Sequence, residues 1–207
     1  MAAAPAKPLT SAQLRAALIT PESVGDSYEP NPKRNREALD AESARTKKCV
    51  NAVKALKPLL ASKAAVFIDK EGKPSGVKQF SISGTPAKMA SWQTVGKVIV
   101  RDCNGGRAGA NGSKASITKL SITKLSITKL SITKLSIGKL GDWAYGIRYK
   151  QTTPEAHLSP IHAADVVLTR VKNTVTLLVS DGFFATFDAG LSKRAAKVAV
   201  SKLRNAQ

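Results

Sequence analysis

Apolar residues recur every three or four positions in some segments of the chain and every second position in others, and the switches between these periods mark out its elements. A short helix is predicted over Ser11–Ile19, with Leu14, Ala17 and Leu18 on one side, Thr10 and Ser11 as caps and Pro21 as its stop. The stretch Thr20–Pro32, with its prolines, glycine and acids, reads as a loop. A longer helical pattern runs from Arg36 to Leu60. Leu39, Cys49, Val50, Val53, Leu56, Leu59 and Leu60 gather near one face, which puts Cys49 on the buried side, and Pro58 is expected to end or kink the last turn. Ala65–Asp69 and the alternating Val77–Ser83 form a hairpin across the turn Lys70–Gly76. Thr85 caps and Pro86 opens a helix in which Met89, Trp92, Val95 and Ile99 recur at helical spacing, with Cys103 just past its end. Further on, Trp143–Gln151 reads as a strand, and Asp165–Val171, the turn Lys172-Asn173 and Thr174–Ser180 make the clearest hairpin in the chain. Asp181–Phe187 leads into a last helix, Ala189–Asn205, with Leu191, Ala195, Val198, Ala199 and Leu203 inward and Lys193, Arg194, Lys197, Lys202 and Arg204 outward. Hairpins rather than βαβ crossovers predict an α+β fold, an antiparallel sheet with helices packed on one face. Trp92, Val95, Val167, Leu177, Val179 and Leu191 are expected in its core.

One segment fits neither period. The pentapeptide SITKL begins at Ser116, Ser121, Ser126 and Ser131 and decays into SIGKL at Ser136. On a helix its Ile and Leu residues would smear around the whole circumference, whereas Ile and Thr favour extended backbone, so a β-rich insertion is expected over residues 116–140. As one straight strand, 113–140 would be about 90 Å long, more than twice the ~40 Å width of a compact domain of this size, so it has to fold back, coil or protrude. Expansion of a single strand is the favoured reading over a pentapeptide solenoid, because five copies make barely more than one coil. The organisation expected is a disordered leader over residues 1–9 and one domain over 10–207 carrying this insertion.

Charge adds a question of partners. The 207 residues hold 33 Lys and Arg against 14 acids, a net charge of +19. The surplus is spread along the chain: 17 cations and 9 acids in 1–103, 7 and none in 104–141, 9 and 5 in 142–207. Such dispersion predicts weak, non-specific binding of polyanions rather than a nucleic-acid footprint. No apolar run is long enough to span a membrane, and MAAAPAKPLT lacks the pattern of a signal peptide, so the protein is cytosolic or has lost a leader upstream of Met1. Cys49 and Cys103 lie 54 positions apart without a CxxC, too few ligands for structural zinc; buried thiols and a disulfide are both open.

No nucleophile elbow, paired carboxylates, HExxH or dinucleotide fingerprint is present, so no enzyme activity, cofactor or metal is expected. The glycine-rich Asn104–Gly112 misses the phosphate-loop spacing and has Ser113-Lys114 in the reverse order. His157 and His162, placed in a loop with Pro154 and Pro160, are read as surface residues, and Trp92, Phe183, Phe184 and Phe187 as core.

The Cys-bearing helix KKCVNAVKAL, the strand QFSIS, the helix ending VIVRDC, the strand LGDWAYGIRYK, the hairpin DVVLTRVKNTVTLLVS and the terminal helix LSKRAAKVAVSKL resemble, in kind and order, the actinobacterial extracytoplasmic sensor-type domains. These include secreted lipoproteins and the outer domain of PknH-type serine/threonine kinases. The resemblance covers roughly residues 10–205 and implies a Cys49–Cys103 disulfide, export, and a non-enzymatic sensing or ligand-binding role. It departs in the missing leader and lipobox cysteine, the high positive charge and the SITKL array. The function expected is that of a secreted or surface-attached sensor-like domain taking a small ligand or cell-envelope component, with no binding residue identified; the alternative is a cytosolic basic protein that binds nucleic acid.

Overall fold

The structure, a computed structural model, describes residues 7–36, 46–103, 129–152, 162–183 and 186–207. Residues 1–6 of the expected leader, the glycine-rich loop, the SITKL copies up to residue 128, His157 and Phe184 lie outside them. Seven strands build one sheet: β1 (Tyr28–Pro30), β2 (Ala64–Lys70), β3 (Ser75–Ser83), β4 (Lys129–Lys134), β5 (Trp143–Thr152), β6 (His162–Val171) and β7 (Thr174–Phe183). Their order across the sheet is β1-β2-β3-β7-β6-β5-β4, with every neighbour antiparallel. The helices are α1 (Ser11–Ala16), α2 (Pro21–Val24), α3 (Lys47–Lys54), α4 (Lys57–Leu60), α5 (Pro86–Asp102) and α6 (Leu191–Asn205).

The α+β class is as expected, but helices cover both faces of the sheet, which corrects the expectation of one. On one face α3, α4 and α5 bring Cys49, Leu56, Leu59, Met89, Trp92 and Ile99 onto Phe80, Ile147, Val166, Leu177 and Val179. On the other, α2 and α6 set Val24, Leu191, Ala195 and Ala199 against Ile68, Val77, Val167 and Leu178. Adjacent residues such as Val166 and Val167 thus point into different cores, as the two-residue period of a strand requires. Around α6, α1 adds a third cluster with Leu14, Ala64, Val171 and Leu203, and Leu9 belongs to it, its N–H donating to Ser83 Oγ at 2.9 Å.

Local chemistry explains the boundaries. Thr46 caps α3 by accepting from Cys49 N–H, residues 37–45 of the expected helix, Leu39 among them, lie outside the described residues, and Pro58 opens α4 after the break at Ala55-Leu56. The predicted loop 20–32 contains α2, started by Pro21 at its first turn, and the edge strand β1. Within the repeats, Lys129–Lys134 is extended and pairs with β5 as an edge strand. Ile132 is buried on the α5 face and Ile137, beyond the strand, on the α6 face.

Two buried polar groups tie helices to strands. Gln79 on β3 accepts from Ile19 N–H at 2.8 Å and donates to Ser81 and Thr176 hydroxyls. Asp165 on β6, fully buried, accepts from Arg148 Nε and Nη2 at 2.6 and 2.7 Å and from Ser192 Oγ of α6 at 2.6 Å. These bonds satisfy groups whose burial would otherwise be costly.

Candidate functional site

The register of the sheet lines up one row of residues across five strands on the α5 face: Asp69 opposite Gly76, Gly76 opposite Asp181, Asp181 opposite Ala164, Ala164 opposite Tyr149. Two carboxylates therefore flank a glycine. The space there is not optional, since a Cβ at Gly76 would lie 2.2 Å from the Ile68 carbonyl oxygen and 2.6 Å from an Asp69 carboxylate oxygen. Arg34, from the segment after β1, bridges the gap and pairs with both Asp69 and Asp181. Asn31 Nδ2 donates to Asp69 Oδ2 at 2.6 Å, and Lys78, one row further in, brings its Nζ to 3.5 Å from Asp181 Oδ2.

Two cations thus neutralise two acids in a site where each side chain is mostly withdrawn from water. Arg34 is 12% exposed, Lys78 6% and Asp181 11%. Buried charges persist only when paired, and truncating one partner strands the others. The cluster holds its charges in place through these pairings.

The outer row is aromatic. His162 lies opposite Phe183, their rings stacked at 4.5 Å, and Tyr149 approaches His162 at 5.5 Å. Burial pushes the His162 imidazole below its usual value, Lys78 and Arg34 add to the effect and Asp181 opposes it, so the ring is neutral at pH 7. Phe183 is the large apolar side chain left exposed, at 39%, among the described residues. The expectation that Phe183 sits in the core is corrected, and so is the loop placement of His162, which begins β6. Along the same face α5 packs at Tyr145, its Gly96 leaving room for a ring that a Cβ there would strike at 2.4 Å. Arg36 stacks over Phe67 and Phe80 at 5.3 and 5.4 Å and donates to the Leu60 and Ser62 carbonyls, holding the approach to this end of the sheet.

Cys49 and Cys103 are joined in a disulfide, with 5.1 Å between their Cα atoms, fastening α3 to the end of α5. Thr46 Oγ1 adds a bond of 3.3 Å to the Asp102 carbonyl oxygen beside it. No group of three or more His, Cys, Asp or Glu able to hold a metal is found among the described residues, and none of their helices is long and apolar enough to cross a membrane.

Sequence reasoning missed the charge row altogether. A signal existed: Asp69 and Asp181 stand two residues after Phe67 and Val179, on the inward parity of apolar strands where an acid needs a partner. Arg34, within a segment of irregular composition, carries no local mark of that role.

No family model matches the sequence, and no curated protein matches it. Among solved structures, the extracellular domain of PknH from Mycobacterium tuberculosis superposes with a TM-score of 0.58 over 96% of this chain and 98% of that one, at 13% identity. An uncharacterized protein from Mycobacterium smegmatis matches at a TM-score of 0.41 and 8% identity, over 88% of this chain and 92% of that one. The chain has the fold of the PknH extracellular domain, in keeping with the actinobacterial sensor-type resemblance read from its motif order.

Proposed function

We propose that this chain is an extracytoplasmic sensor-like domain without catalytic activity, binding a small ligand or cell-envelope component at the charge and aromatic rows on the α5 face of its sheet. The observation that carries the proposal is the juxtaposition of the Arg34–Asp69–Asp181–Lys78 cluster with the stacked His162 and exposed Phe183. A flat apolar ring edge beside fixed, balanced charges fits a ligand that has both an apolar surface and polar groups. The fold shared with an extracellular domain and the disulfide, which persists in oxidising compartments, support the location. The dispersed positive charge supports a further, weak attraction of heparin-like polyanions that falls steeply with salt.

The test is titration of the isotope-labelled protein with solubilised cell-envelope fractions, followed at the His162 imidazole and the Phe183 amide. Binding should shift both signals and should be lost in Phe183→Ala, whose exposed site leaves the fold intact. Shifts confined to other surfaces, or undiminished in the variant, would refute the placement.

A further inference from the structure

On the opposite face from that row, α6 and the turn between β4 and β5 form an open cleft of about 220 Å³ lined by Lys139, Leu140, Lys197, Val200, Ser201, Arg204 and Asn205. Its chemistry is one-sided. Lys139, Lys197 and Arg204 are exposed and have no acidic partner among the described residues, whereas two neighbouring cations on α6 are engaged: Arg194 pairs with Asp188 and Lys202 donates to the Leu18 carbonyl at 2.9 Å. The floor is apolar. Val200 is buried, and Leu140 packs partly buried against the clusters around α6.

We infer that this cleft is a binding site for a phosphoryl anion, carried by a small soluble ester or by a lipid headgroup. Three observations converge on that chemistry. Three like charges face one concavity with no counter-charge, an arrangement that repels itself and that a multivalent anion relieves. A low-dielectric floor strengthens every ion contact above it compared with open surface. The volume, below the ~300–1,000 Å³ of a drug-sized pocket, suits a headgroup. The helix dipole accounts for Arg204 in the last turn of α6, but it disfavours cations early in the helix, and Lys197 together with the exposed Lys193 on the same stripe has no such explanation. Ser201 and Asn205 supply the neutral donors that fix an oxyanion's orientation beside the charges. The site goes beyond the proposed function and is independent of it, since it shares no residue with the sheet-end row.

The test compares the intact chain with the variant K139S/K197S/R204S and with K57S/K63S/K73S, which removes three exposed lysines elsewhere. Inorganic pyrophosphate by calorimetry and vesicles of phosphatidylcholine with or without phosphatidylglycerol by sedimentation are the probes, at physiological salt so that diffuse charge is screened. The cleft variant should lose at least about tenfold in affinity and the matched variant under about twofold. Pyrophosphate binding without vesicle binding assigns a soluble phosphoester, and vesicle binding competed by pyrophosphate assigns a headgroup; either supports the site. Equal losses in the two variants, or no binding of either probe to the intact chain, would overturn it. Amide shifts induced by pyrophosphate in the unaltered protein supply a readout free of any folding defect, and they should centre on Leu140, Val200 and Ser201.

Discussion

The Asp165 carboxylate offers the sharpest test of the packing. It is fully buried and accepts three hydrogen bonds, two from Arg148 and one from Ser192, so it fastens β5 and α6 to the interior strand β6. Arg148 also donates to the Ala189 carbonyl at 3.0 Å and lies over Phe187 at 5.2 Å, so it cannot swing to water without giving up further contacts. Asp165→Asn keeps the shape but replaces one acceptor by a donor facing donors and leaves the guanidinium uncompensated. Breaking a buried pair costs about 3–5 kcal/mol, and because 21% of the Arg148 side chain still meets solvent the lower end, about 3 kcal/mol, applies. In a chain of 207 residues each kcal/mol lowers the melting midpoint by about 2–4 °C, so the variant should melt about 6–12 °C lower. Circular dichroism melts together with urea midpoints measure this, and the deficit should persist at about 1 M salt because buried pairs are little screened. The paired change R148M/D165L should recover more than half of the loss, since apolar replacement removes both desolvation costs. A midpoint within about 2 °C of the unaltered protein for Asp165→Asn would refute the reasoning, and so would a double variant as unstable as the single one.

Four other outcomes are expected. Removing the disulfide with C49A/C103A, which opens a loop of 54 positions, should cost about 4 kcal/mol by urea denaturation, and protein alkylated without reduction from its native compartment should carry no free thiol. Because the folded pKa of His162 lies below its unfolded value, the unfolded chain takes up the proton first, so stability is full above the unfolded pKa of about 6.5 and falls as the pH drops through it; His162→Phe should flatten that slope in urea midpoints at neutral and mildly acidic pH. Deleting Ser116–Leu125, which restores the same pattern on the same strand faces, should leave the thermal midpoint within a few degrees, equivalent to under about 1 kcal/mol. Ile132→Ala, at a buried position of the same array, should cost about 2–4 kcal/mol.

The parts of this fold that were legible are those whose cause is local. The hairpin of β6 and β7 shows in its two β-branched and apolar runs on either side of Lys172-Asn173, and Lys172 adopts the positive φ of 48° that such a tight turn needs. Caps at Thr10, Thr85 and Pro86 fall where residue type placed them. The second covered face is legible too: Val166-Val167-Leu168 and Leu177-Leu178-Val179 are continuous apolar runs, which mark strands buried on both sides rather than one. The charge row was not legible, because Asp69, Gly76 and Asp181 belong to three strands and meet only through the cross-strand register, a non-local property that no window of sequence contains.

Net charge misleads for a related reason. Asp69, Asp102, Asp142, Asp165, Asp181 and Asp188 are each engaged by a cation in the fold, so these acids are consumed inside pairs, whereas most of the described cations have no ion pair among the described residues. The row on the α5 face is consequently near neutral despite its density of ions, so selectivity in the binding proposed there would come from geometry and the aromatic edge. By contrast α6 carries Lys193, Arg194, Lys197, Lys202 and Arg204 without one acid in its own sequence, so its outer surface concentrates a field that the composition alone spreads over the whole chain. Among the described helices α6 is therefore where long-range charge would draw an anion, whereas the recognition proposed at the sheet end would be short-range, so salt should separate the two: binding at α6 is expected to weaken steeply as ionic strength rises, and binding beside His162 and Phe183 to change little.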